Sequence, residues 1–140
     1  MKSKKGFSLI EILVVVTIIG VLAAGGAVSY TTVSRNARNA KRKADLEQIR
    51  AALEMFRSNS VNSTYPVYTG GNCTGLPPSI DPYLPVIPTD PKTASRYYCN
   101  VTTTNYTLGA VQEGQTNPCG VSCQSGSCNY TVGPFGQVCP

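Results

Sequence analysis

From Ile12 to Ser34 the chain runs for 23 residues without a charge, mostly Ile, Val, Leu, Ala and Gly. About 20 such residues cross a bilayer as a helix, and a buried helix of a small soluble domain has no need of so long and uniform a run. Between Phe7 and Ser58 there is no proline, whereas all ten prolines and all six cysteines lie beyond residue 58. A helix-permissive segment is therefore followed by a turn-rich one. One helix over 7–58 would be about 78 Å long at 1.5 Å per residue. A 140-residue chain cannot bury such a rod. Its first half must sit in lipid or among copies of itself.

Past the apolar run the helical pattern continues in amphipathic form. Leu46, Ile49, Leu53 and Phe56 fall at i, i+3, i+7 and i+10, one apolar stripe. Ala37, Ala40 and Ala44 are expected to extend the stripe backwards, with Arg38, Arg42, Lys43, Asp45 and Glu47 on a solvated face. The expected organisation is a basic leader over 1–6 and a long helix over 7–58. That helix divides into a transmembrane or filament-core part at 7–34 and an amphipathic part at 35–58. A globular, β-rich head over 59–140 completes an α+β chain.

Charge and composition narrow the function. The net charge is +5: three leader lysines (Lys2, Lys4, Lys5), seven basic against four acidic residues over 7–58, and a net of −1 beyond. The basic character thus belongs to the N-terminal third, and no basic face interleaved with aromatics exists for nucleic acid. The absence of His removes the common nucleophile–His triads and His-ligated zinc. No phosphate loop, nucleophile elbow or catalytic carboxylate pair stands in their place. The chain reads as a structural protein, not an enzyme, with no cofactor and no assigned metal.

Two readings of the apolar run compete. A secretory signal peptide would use the leader lysines and cleave after Ala27, with Gly25 at the −3 position, releasing a small binding protein. A retained transmembrane helix is favoured instead. Glu11 lies four residues into the apolar segment that starts at Phe7, directly before the uncharged run; a carboxylate costs on the order of 3 kcal/mol near a membrane helix centre, and a signal peptide has no use for it.

The head holds 82 residues, near the size at which a hydrophobic core alone becomes marginal. Cys73, Cys99, Cys119, Cys123, Cys128 and Cys139 read as a framework of three disulfides in an exported domain. Cys73 and Cys99 flank the Pro-rich loop, so the expected set is Cys73–Cys99 plus two bridges within the tail. A zinc site from the four tail cysteines is disfavoured, because their spacing lacks paired C-x2-C knuckles. Residues 97–102 and 105–111 read as a hairpin, and Asn129 to Val132 as a third strand packed on the Leu46 stripe. Asp81 and Asp90 are too few for a calcium cage, and Asp90 before Pro91 reads as a turn residue. Asn-x-Thr triplets start at Asn62, Asn72, Asn100, Asn105 and Asn129; a Thr- and Asn-rich surface accounts for them in preference to glycosylation.

The run Lys4-Lys5-Gly6-Phe7-Ser8-Leu9-Ile10-Glu11 resembles the class III signal and cleavage site of type IV pilins and pseudopilins. The apolar run Val14 to Ala24 and the continuation Ala37 to Leu46 are similar to theirs. Fainter likenesses, at Tyr65-Pro66, Tyr83 to Pro91 and Tyr106-Thr107-Leu108, resemble the head of the major pseudopilin of type II secretion and its small pilin relatives. The resemblance implies that a prepilin peptidase cleaves between Gly6 and Phe7 and that the new Phe7 amine is N-methylated. It implies a filament-assembly role for Glu11, whose carboxylate would neutralise the terminal amine of a neighbouring copy. Partners would be other copies of the chain, the inner membrane before assembly, and the pilus or secretion machinery. The leading expectation is the major pilin of a type IV pilus serving adhesion or motility; a major pseudopilin is the alternative. Two departures stand out. Many pilins carry proline at the position of Val28, and Gly20, Gly25 and Gly26 are expected to take over its role, by helix flexibility or close packing. Arg35, Arg38, Lys41, Arg42 and Lys43 also outnumber the leader lysines, which by the positive-inside rule alone would keep the head in the cytoplasm, while the cysteines argue for export.

Overall fold

The computed structural model describes residues 6–92, 97–123 and 126–139. The leader lysines Lys2, Lys4 and Lys5 lie outside the described residues, as does Arg96. The chain forms two compact units, Met1–Asn36 and Ala37–Pro140.

One α-helix, α1, covers Leu9–Asn59. Its start carries one half of a capping box: Ser8 precedes the first turn and its N–H donates to Glu11 Oε2 at 3.2 Å, while the Glu11 N–H donates to the Ser8 carbonyl at 3.1 Å. Its end is equally local. Ser58 Oγ and Asn59 Nδ2 each donate to the Met55 carbonyl at 2.9 Å, Arg57 lies in the last turn, and Ser63 then takes a left-handed φ of 51°. In the first unit the helix carries its apolar side chains in the open, from Leu9 at 82% to Val21 at 74% exposure.

The second unit is a five-stranded antiparallel sheet packed against the C-terminal part of α1. The strands are β1 (Tyr68–Asn72), β2 (Tyr98–Val101), β3 (Tyr106–Ala110), β6 (Tyr130–Gly133) and β7 (Gly136–Cys139), in the order β1-β2-β3-β6-β7. A separate two-stranded ribbon is formed by β4 (Ser122–Cys123) and β5 (Gly126–Ser127). The predicted hairpin is β2–β3, in the register Cys99 opposite Leu108 and Val101 opposite Tyr106, and the predicted third strand is β6, against β3. The fold is α+β and pilin-like.

Leu46, Ile49, Ala52 and Leu53 from α1 meet Val101, Leu108 and Val132 from the sheet, all essentially without solvent exposure. Burying each large aliphatic side chain contributes roughly 1.5–3 kcal/mol. Phe56 is half-buried at the end of the stripe, edge-on to Tyr83 with centroids 6.2 Å apart. The stripe does not extend backwards as expected. Ala37, Ala40 and Ala44 are exposed, while Arg42 and Asp45 are buried. Helical geometry explains the difference: Arg42 stands four residues before Leu46 and Asp45 four before Ile49, on the buried face, whereas Ala44 is roughly on the opposite side. The charges go inward because the head supplies partners for them.

Candidate functional site

Gly6, Phe7 and Ser8 precede α1 in irregular backbone, and all three are exposed. A Cβ built at Gly6 would meet nothing within 4 Å. Gly6 and Phe7 are therefore both solvent-exposed, with no described side chain packed over Gly6. Glu11 is the third residue of the helix, and its carboxylate accepts from Ser8 N–H. The predicted processing residues and Glu11 thus occupy one exposed helix start. The S-x-x-E spacing that signals a capping box was present in Ser8-Leu9-Ile10-Glu11, and it gives Glu11 a local role beside any intermolecular one.

The helix continues through Gly20, Gly25 and Gly26 without a break, and a Cβ at any of them would meet nothing within 4 Å. Among the described residues, the space around these three positions would therefore admit a side chain. Over Leu9–Asn59 the helix is long and apolar enough to cross a membrane, with none of its most apolar window buried.

In the second unit a charged clamp fixes α1 to two loops. Arg42, fully buried, donates through Nε to Asp90 Oδ2 at 2.6 Å and through Nη2 to Asp90 Oδ1 at 3.1 Å and Glu113 Oε1 at 3.1 Å. Arg38 forms a two-point pair with Glu113, both bonds 2.7 Å, and Lys92 Nζ reaches the same carboxylate at 3.0 Å. Asn39 closes the arrangement by donating to the Glu113 carbonyl and accepting from the Glu113 N–H, each at 2.9 Å. Hydrogen bonds from Arg38 first, then Lys92 and Arg42, hold the Glu113 carboxyl far below the usual carboxylate range, against the opposing effect of burial. Burial disfavours the Arg42 charge, but Asp90 and Glu113 more than offset it and raise its pKa. Asp90 also accepts from the Lys92 N–H at 2.8 Å, so its turn role holds, although its main partner is Arg42. No sequence signal nominated this clamp beyond Arg42 and Asp45 sharing the phase of the apolar stripe.

Three tyrosine hydroxyls meet two carboxylates of α1. Tyr97 OH donates to Asp45 Oδ2 at 2.6 Å, while Tyr65 and Tyr106 both donate to Glu54 Oε1, at 3.0 and 2.7 Å. Burial first, then the neighbouring carboxylates, raise the Tyr97 and Tyr106 phenols well above their ordinary range.

All six cysteines are bridged, as Cys73–Cys99, Cys119–Cys139 and Cys123–Cys128. The β4–β5 ribbon is held over β3 at Gly109, where a Cβ would lie 2.7 Å from Cys128 Sγ. Glycine is the residue that admits the disulfide so close.

Residues 1–27 match a family model described as the prokaryotic N-terminal methylation motif. That match marks a class III signal peptide typical of type IV pilins and pseudopilins, a class processed by prepilin peptidase and assembled into filaments. No curated protein and no solved structure matches the chain. The motif and the apolar helix are compatible with a membrane-anchored precursor of the pilin or pseudopilin type.

Proposed function

We propose that this chain is the major structural subunit of a type IV pilus. It is stored in the inner membrane through residues 7–34 with the head outside the cytoplasm, cut between Gly6 and Phe7, methylated at Phe7 and polymerised with copies of itself. The observation that carries the reading is an exposed apolar helix bearing one carboxylate, Glu11, immediately behind the exposed Gly6–Phe7 junction under a methylation motif. A wholly exposed apolar surface of this length needs lipid or copies of itself around it. In a filament of such helices Glu11 pairs with a neighbour's terminal amine, since a carboxylate in apolar surroundings requires a partner. No catalytic role is assigned. The finished filament serves surface attachment or motility.

Mass spectrometry of the chain recovered from the native cell surface tests the processing: an N-methylated Phe7 is expected at the start of the chain, and a start near Val28 overturns the reading. Sheared surface fractions containing long filaments of this chain support the pilus; processed chain without them favours a pseudopilus. Glu11→Gln should leave the precursor in the membrane at normal abundance while abolishing filaments, and wild-type filament yield from the variant would remove Glu11 from assembly.

A further inference from the structure

Of the seven asparagines from Asn59 onward, five begin an Asn-x-Thr triplet, and the structure separates them. Three have a structural reason. Asn129 is buried, and its Nδ2 already donates to the Gln112 and Gln115 carbonyls at 2.9 Å. Asn72 caps a short 3-10 turn by accepting from Thr74 N–H, with the bridged Cys73 between them. Asn100 lies inside β2 opposite Thr107, where the two-residue period of a strand puts Asn and Thr on one face. Asn105 is exposed, but its Tyr106 and Thr107 are fixed in β3.

Asn62 differs from all four. Asn62-Ser63-Thr64 lies wholly in the turn between α1 and β1, outside helix and strand. Asn62 and Ser63 are exposed, Thr64 is half-exposed, and Ser63 takes its left-handed φ of 51° at the centre of the triplet. The turn holds its shape without the Asn62 amide, through Ser63 N–H to the Ser60 carbonyl and Thr64 N–H to Ser60 Oγ. Its neighbour is the threonine-rich β2–β3 turn, joined by Tyr65 N–H to the Thr103 carbonyl at 3.1 Å. No strand alternation, cap or core packing accounts for Asn and Thr at this spacing here.

We propose that Asn62 is an N-glycosylation acceptor. A membrane oligosaccharyltransferase would use a lipid-pyrophosphate-linked oligosaccharide as donor. Asn62 Nδ2 attacks the anomeric carbon, a C–N bond forms as the C–O bond to pyrophosphate breaks, the lipid pyrophosphate leaves with the bonding electrons, and a base takes one amide proton. The acceptor triplet is then read as a surface turn of an exported domain. The inference rests on export of the head, as in the proposed function.

The test is peptide mapping with site-localising fragmentation on full-length chain from the native cell. A saccharide mass on Asn62 is expected, retained in Thr64→Ser and lost in Thr64→Ala, with three disulfides intact in each variant. A bare Asn62, or a saccharide mass found only at another residue or persisting in Thr64→Ala, overturns the proposal. The N-terminal peptide of the same digest reports separately whether the chain starts at methylated Phe7. Failure at Asn62 and failure of the filament reading are therefore told apart.

Discussion

Arg42 has no exposure, and two carboxylates from different loops converge on it. Removing one member of a buried pair leaves an uncompensated charge, so Arg42→Ala should destabilise the head by about 3–5 kcal/mol. The double variant Arg42→Met with Asp90→Leu should recover much of that loss, because apolar packing can replace a buried pair. Denaturant unfolding of the full chain in detergent measures both. The clamp also sets a pH dependence. Glu113 titrates lower in the folded state than in the unfolded chain, so its contribution is complete above the ordinary carboxylate pKa of about 4.3 and is lost as pH falls below it. Tyr97 and Tyr106 titrate higher when folded, so their contribution is complete below about pH 10 and is lost as pH rises further. Thermal melts across pH should show a plateau with a fall at each end, and Glu113→Gln should flatten the acid limb.

At the scale of elements, the β4–β5 ribbon depends on the bare backbone of β3. Gly109→Ala pushes a methyl group into the Cys123–Cys128 bridge and should cost about 1–3 kcal/mol, read as a lowered melting temperature with all three bridges still formed. The hairpin β2–β3 was legible because its β-branched and aromatic runs flank a short polar link. β1 and β7 were not, since Tyr68–Asn72 and Gly136–Cys139 are glycine-containing edge strands that take their place from pairing with their neighbours. The helix was legible from its proline-free length and apolar period, yet the inward turn of Arg42 was not. Its partners lie 48 and 71 residues away, and local pattern carries no trace of them. The same pairings bear on the basic run after the apolar segment. Arg38, Lys41 and Arg42 each have an acidic partner in the second unit, leaving fewer free cations than the composition implied.

At the scale of the whole molecule, charge among the described residues is concentrated on the helix and its clamp. Of the described charged residues from 59 onward, Asp90, Lys92 and Glu113 join the clamp, and Asp81 lies exposed beyond it. In the proposed precursor, retention in the membrane falls to the apolar helix. Alkaline carbonate extraction should leave the full chain with the membrane pellet, and release into the supernatant would show that the segment is not an anchor. The distances along the chain within the clamp also impose an order in time. Synthesis at about 5–20 residues per second completes α1 several seconds before Glu113 exists. Asp90, Val101 and Leu108 all precede Glu113 in the chain, so Arg42 gains its first partner, and the apolar stripe its first sheet contacts, before the clamp is completed. The head cannot close until its last strands have emerged, so a subunit cut short during synthesis is marked by an open helix face.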